Sequence, residues 1–203
     1  MTQGAVDSAS RSALLVVDVQ NDFCPGGALP VPDGDRVVAV LNRYIAAAEA
    51  TGVAILASRD WHPRVTTHFA DHGGPWPPHC VQGTDGARFR ADLRLPPSAV
   101  VISKGEDPGE AGYSAFEGHA PDGRLLGDVL EARGITHLYV GGLATDYCVR
   151  QSVLDALAAG MTVTVLEDAV AGVDVQAGDS ARAMAEMRAH GAGTVRGDGR
   201  LDG

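Results

Sequence analysis

The chain has 203 residues, 45% of them hydrophobic and 21% charged, with a formal net charge of −10. That length suits one domain with a full core, and the composition is neither that of a disordered chain nor that of a membrane-inserted one. The acidic balance, without any local basic stripe, argues against nucleic acid and anionic membranes as partners. Three widely spaced cysteines make no disulfide framework, and the polar opening MTQGAVDSASRSA lacks the apolar core of a signal peptide. A reducing, cytoplasmic setting is therefore expected.

Residues 1–12 read as a polar lead-in to the first strand, ALLVVDV (13–19). A helix follows over 35–52, with Val37, Val38, Leu41, Ile45 and Ala48 on one face, an acidic start and Gly52 as its stop. VAILASR (53–59) and AVVIS (99–103) are the next strands, separated by a long connection over 60–98 that is rich in Gly, Pro, His and aromatics. A second long connection covers 104–122, and connections of that length in a compact domain tend to carry function. Then come a helix over 124–134, a strand over 135–141, and a helix in DYCVRQSVLDALAAG (146–160) with Thr145 or Asp146 as N-cap and Cys148 in its first turn. A strand over 161–167, a helix over 180–191 and a weaker strand over 191–195 complete the pattern, and the tail 197–203 is expected to fray. Near-continuous apolar strands alternating with amphipathic helices predict a single α/β domain over 1–203. Its mainly parallel central sheet has about six strands, with helices on both faces.

In such a sheet the C-terminal strand ends share one edge, where ligands bind. Asp18 closes the first strand, Asp60 and His62 follow the second, Lys104 follows the third, and Cys148 lies a few residues beyond the fourth. Taken singly, Asp18 could cap a turn, Lys104 could be a surface lysine and Cys148 a small buried hydrophobe. Their convergence on one edge favours function, since unrelated structural roles have no reason to meet there. A thiolate attacks, and it needs a base, a positive neighbour or both; a helix start also favours the thiolate over the thiol. Asp18 suits the base, Lys104 the positive neighbour, and the N–H groups of Cys148 and of the Ala144 region suit a developing oxyanion.

RDWHPRVTTHF supplies a second constellation, in which Asp60 and His62 lie two apart and His68 and the His79 of PWPPHC stand nearby. One carboxylate with two or three imidazoles suits a single divalent ion, Zn²⁺, Fe²⁺ or Mn²⁺, with a position left open. The competing reading is a set of loop histidines bonded to backbone. His72, His119, His137 and His190 have no comparable grouping. Phe23, Trp61, Trp76, Tyr113 and Tyr147 lie on or beside the same loops, where they either anchor the loop or sandwich a flat ring.

Four motifs carry a resemblance: VVDVQNDFCPGGAL (16–29), RDWHP with a following His and WPPHC (59–80), SKGED leading to YSAFEG (103–118), and GGLATDYCVRQSVLDAL (141–157). In this order, across about 13–195, they resemble the nicotinamidase/pyrazinamidase branch of the isochorismatase-like cysteine hydrolases. The resemblance implies an isochorismatase-like fold and a catalytic triad of Asp18, Lys104 and Cys148. It implies metal ligands Asp60, His62 and His79, with His68 a fourth in some members and zinc first among the candidate metals. It also implies Phe23 and Trp76 flanking the substrate ring, and a cis peptide at Leu143–Ala144 that aims the Ala144 N–H into an oxyanion hole. The implied reaction converts nicotinamide to nicotinic acid and ammonia, or pyrazinamide to pyrazinoic acid, through a thioester on the cysteine, as a step of NAD salvage. Tyr147 stands where some members have His, and Ala115 where Gly is usual, which leaves the ring preference and another small amide, carbamoyl compound or lactam open as substrate. A metallohydrolase with metal-bound water as nucleophile and a non-catalytic ring-binding protein are the rival classes. The sequence leaves the oligomeric state, a homo-oligomer included, open.

Overall fold

The computed structural model describes residues 11–197 and 199–201. The apolar runs form strands β1 (Ser12–Val17), β2 (Ala54–Asp60), β3 (Val100–Lys104), β4 (His137–Leu143), β5 (Thr162–Ala171) and β6 (Gly193–Val195). They make one sheet in the order β3-β2-β1-β4-β5-β6, with every neighbouring pair parallel. The chain direction across the sheet reverses between β1 and β4, so a crevice opens beyond the C-terminal ends of these two strands. Asp18 leaves β1 and Cys148 follows β4 at that crevice.

Alternate residues of β1 serve different cores. Leu14 and Val16 pack with Val37, Leu41, Tyr44 and Ile45 of α1 (Arg36–Thr51) on one face. Ala13, Leu15 and Val17 pack with residues of α2 (Leu126–Ala132), α3 (Arg150–Ala158) and α4 (Asp179–Ala189) on the other. Helices thus cover both faces of the six-stranded sheet, which is why the strands read as unbroken apolar runs. α1 stops where Gly52, at φ +76, takes the left-handed conformation that glycine adopts without steric cost.

Several boundaries differ from the sequence reading. β1 begins at Ser12, so the lead-in ends one residue earlier, and residues 1–10 lie outside the described residues. β4 runs on to Leu143, two residues past the expected end at 141, and shifts register against β5 between Val140 and Gly142. Cys148 is not in the first turn of an α-helix: Thr145–Val149 form a π-helical turn that precedes α3. Neither Thr145 nor Asp146 caps the helix by its side chain. The Asp146 carboxylate instead accepts the N–H groups of Val173 (2.9 Å) and Asp174 (2.8 Å), tying the end of β5 to the turn. Leu201 is buried in the α1-side core, so the described part of the tail is packed rather than frayed; residues 198, 202 and 203 lie outside the described residues. Among the described residues, no helix is long and apolar enough to cross a membrane.

Candidate active site

Asp18 follows β1 in a left-handed conformation, φ +49, that carboxamide and carboxylate side chains tolerate better than most. Its N–H donates to Ser58 C=O at 3.1 Å, and Ser58 Oγ donates to its Oδ1 at 2.7 Å, so β2 fixes the carboxylate from both backbone and side chain. Lys104 ends β3 with its stem buried in the sheet edge. Its ammonium lies 2.7 Å from Asp18 Oδ2, bonds Asp60 Oδ1, donates to Gly112 C=O at 2.5 Å and lies 3.5 Å from Cys148 Sγ. One cation therefore serves two buried carboxylates and the thiol.

Burial raises the Asp18 pKa, and the charge of Lys104 and the Ser58 hydrogen bond only partly offset it. For Asp60, burial is outweighed by Lys104 and by the imidazoles of His62 and His79, which hold its carboxyl well below the usual range. Burial disfavours the Lys104 charge, but Asp18, Asp60 and Cys148 outweigh it and hold its pKa well above the ordinary value. The Cys148 thiol is pushed well up by burial, against Lys104 and together with Asp18 and Asp60. The sequence reading has Lys104 and the helix start favour the thiolate; in this desolvated site burial and the two carboxylates outweigh the one ammonium and favour the thiol. The Asp18 carboxylate has an oxygen within 4.8 Å of the sulfur and is the group placed to take its proton.

Beyond this cluster, Asp60 faces imidazoles. His62 Nε2 and His79 Nε2 lie 3.6 and 3.7 Å from Asp60 Oδ2. Each ring is oriented by its other nitrogen: His62 Nδ1 pairs with Gly105 C=O at 3.1 Å and His79 Nδ1 with Pro77 C=O at 2.8 Å. A ring whose Nδ1–H donates to a carbonyl leaves Nε2 as a lone pair, the arrangement that suits metal-binding histidines. His62 Nε2 is buried without a hydrogen-bond partner. Ligand atoms of His62, His68 and His79 also lie within 4.8 Å of one another. Burial, then the neighbouring His62 and His79, push the His68 pKa down to about 4, so its ring is neutral at neutral pH. This donor set fits a divalent ion. Gly105, at φ +65, has no room for a side chain, because a Cβ there would meet the His62 ring.

The pocket above holds about 390 Å³ of atom-free space, its open mouth included, and joins both clusters: Asp60, His68, His79, Ala144 and Cys148 line it. Phe23, Trp76, Tyr113 and Tyr147 line it as well. Trp76 Nε1 donates to Tyr113 Oη at 2.8 Å, Tyr147 stacks on Tyr113 at 6.0 Å, and Trp76 meets Tyr147 edge-on at 5.0 Å. The peptide bond Leu143–Ala144 is cis, and Ala144 C=O accepts from both Tyr147 N–H and Val149 N–H. The candidate catalytic and imidazole residues thus gather at one crevice, whereas Trp61 does not line it: the Arg59 guanidinium lies 3.8 Å over its ring.

Others were not singled out. Gln20 Oε1 accepts the Asp60 N–H, while its Nε2 donates to the C=O of Asp60 and of Ala87, all at 2.8–2.9 Å. Its place in VDVQNDF, two residues past Asp18, was the available signal. Ser58 appeared only as a strand residue. Leu29, Val31 and Val173 add apolar walls to the pocket, and nothing local in their sequence marks them.

Residues 12–198 match the isochorismatase domain. The nicotinamidase of Escherichia coli is 45% identical over 196 residues, covering 89% of this chain and 92% of that protein. The pyrazinamidase of Pyrococcus horikoshii, solved in complex with zinc, is 45% identical with a TM-score of 0.85, covering 92% of this chain and 99% of that one. PnC1 from L. infantum, solved in complex with nicotinate, is 32% identical with a TM-score of 0.80, covering 95% and 96%. A chain matched so fully in sequence and fold belongs to the isochorismatase family, in its nicotinamidase branch.

Proposed function

We propose that this protein is a cysteine amidohydrolase that converts nicotinamide, and by the same chemistry pyrazinamide, to the carboxylic acid and ammonia. The observation that carries this reading is Lys104 Nζ lying 2.7 Å from Asp18 and 3.5 Å from Cys148, with Cys148 lining an aromatic-walled pocket. The Cys148 thiol gives its proton to Asp18, and the sulfur attacks the carboxamide carbon. Ala144 N–H and Cys148 N–H receive the oxyanion. Collapse breaks the C–N bond; Asp18 returns the proton to the leaving nitrogen, and ammonia departs from a Cys148 thioester. Water then attacks the thioester as Asp18 takes its proton, and the acid leaves as the proton returns to Cys148. Lys104 holds Asp18 in place and favours its ionised form at each point where it must accept a proton.

Asp60, His62 and His79, with His68 as a further donor, would hold one divalent metal, zinc first among the candidates; when bound it supplies a Lewis-acid contact for the ring nitrogen. The Phe23 and Trp76 side chains clamp the ring, and Tyr113 and Tyr147 close the pocket mouth. Three free cysteines, all buried, support action in a reducing, cytoplasmic compartment, where release of nicotinate serves NAD salvage. Ammonia release from nicotinamide by the purified, metal-loaded protein, lost in Cys148→Ala, is the expected result. Absence of release from the loaded wild type would move the reading to another small amide.

A further inference from the structure

Asp22 takes no part in the chemistry above, yet its polar groups bond both its own loop, at Ala28 and Leu29, and a second loop, at Cys80 and Gly86. Its N–H donates to Gly86 C=O, and its C=O accepts from Leu29 N–H, both at 3.0 Å. Its carboxylate divides between two further donors: Oδ1 accepts Ala28 N–H at 3.1 Å and Oδ2 accepts Cys80 N–H at 2.7 Å. The carboxylate rests against Gly86, where an added Cβ would collide with it.

The Cys80 N–H belongs to the peptide unit that leaves His79, so the bond from Asp22 fixes the exit of the His79 backbone. Cys80 is itself held in a left-handed conformation, φ +45, and its C=O accepts the His62 N–H at 3.0 Å. On Asp22's own loop, the Phe23 ring lies 5.4 Å from the His79 ring, and Leu29 lines the pocket. One side chain thus joins the loop that presents an imidazole to Asp60 with the loop that walls the ring pocket. Both carboxylate partners are N–H donors, so two acceptor oxygens are required; an amide in this place would set its NH₂ against one of them.

We propose that Asp22 is a positioning residue that sets the register of His79 against Phe23 and Leu29, and through it both metal affinity and ring binding. The inference rests on the reading of His79 as a metal ligand. Groups that orient a ligand from behind change metal affinity by roughly 10–100-fold when removed, and Asp22 acts one peptide away from the imidazole.

The test compares wild type, Asp22→Asn and, as a second route to the same displacement, Gly86→Ala, whose new Cβ enters the space of the Asp22 carboxylate. Zinc affinity is read by competition with a chromophoric chelator, beside KM and kcat for nicotinamide. In both variants zinc affinity is expected to fall about 10-fold, and KM to rise by more than kcat falls. A merely structural role would lower the thermal midpoint but leave the folded fraction with wild-type zinc affinity and KM; that result overturns the proposal. If Asp22→Asn does not fold, Gly86→Ala decides by the same readouts. A wild type that binds no zinc overturns the ligand reading and this inference together. A wild type that binds zinc but leaves nicotinamide intact overturns only the proposed substrate, with the zinc comparison still deciding for or against Asp22.

Discussion

Lys104 Nζ lies 2.7 Å from Asp18 Oδ2, with both side chains fully buried. The same ammonium bonds Asp60, so the nucleophilic cluster and the imidazole cluster share one counter-charge. Removing one member of a buried ion pair leaves an uncompensated charge, at a cost of about 3–5 kcal/mol. Lys104→Met strands two carboxylates at once. It is expected to lower the urea midpoint by at least that equivalent and to abolish ammonia release; a midpoint equal to wild type would show that the site is wetter than its burial indicates.

Ser58 tests the base. Its hydroxyl lowers the Asp18 pKa, against the upward push of burial. Asp18 must be ionised to take the thiol proton, so activity is lost as pH falls through its pKa. Ser58→Ala removes a contribution favouring the ionised form, and the acidic limb of the kcat/KM profile is expected to move to higher pH. The same group, with its folded pKa raised by burial, contributes more stability protonated than ionised, so the variant gains relative stability toward acid. Asp18→Asn goes further and should cost roughly 10²–10⁴-fold in kcat, measured as ammonia release.

Metal removal separates the two hydrolytic readings. Chelation is expected to abolish turnover and zinc to restore it, and alkylation of Cys148 should abolish turnover even with the metal in place. A metal-bound water acting as nucleophile would survive alkylation, so retained activity after quantitative modification of Cys148 would favour that rival.

The aromatic wall has its own test. Tyr113→Phe removes the acceptor for Trp76 Nε1 and is expected to raise KM about 2–10-fold, the worth of one ordinary hydrogen bond. The change should fall mainly on KM, because the pair faces the ring rather than the reacting carbon. An equal fall in kcat would place Tyr113 closer to the chemistry.

Most of the architecture was legible because it rests on local periodicity. Val37, Val38, Leu41, Ile45 and Ala48 form the buried stripe of α1 as spaced, and strands covered on both faces read as unbroken apolar runs. The candidate residues were legible because each follows a strand, and parallel strands deliver their C-terminal ends to one edge. What could not be read depends on contacts between distant segments. Gln20 grips the backbone of Asp60 and Ser58 that of Asp18, and no spacing in either segment announces the other. The π-helical turn at Thr145–Val149 was read as ordinary α-helix, since hydrophobic spacing over five residues does not separate the two periods. Asp146, a good N-cap by type, was claimed instead by the N–H groups of Val173 and Asp174, a tertiary partnership that outweighs local preference.

The central claim is a covalent bond between Cys148 and the acyl group. Acid-quenched samples of the metal-loaded protein mixed with nicotinamide, followed by peptide mapping, test it most directly. The account predicts a nicotinoyl adduct on the Cys148 peptide that appears before steady turnover and is absent in Cys148→Ser. Sustained turnover with no adduct at any time, together with activity surviving in Cys148→Ala, would contradict it.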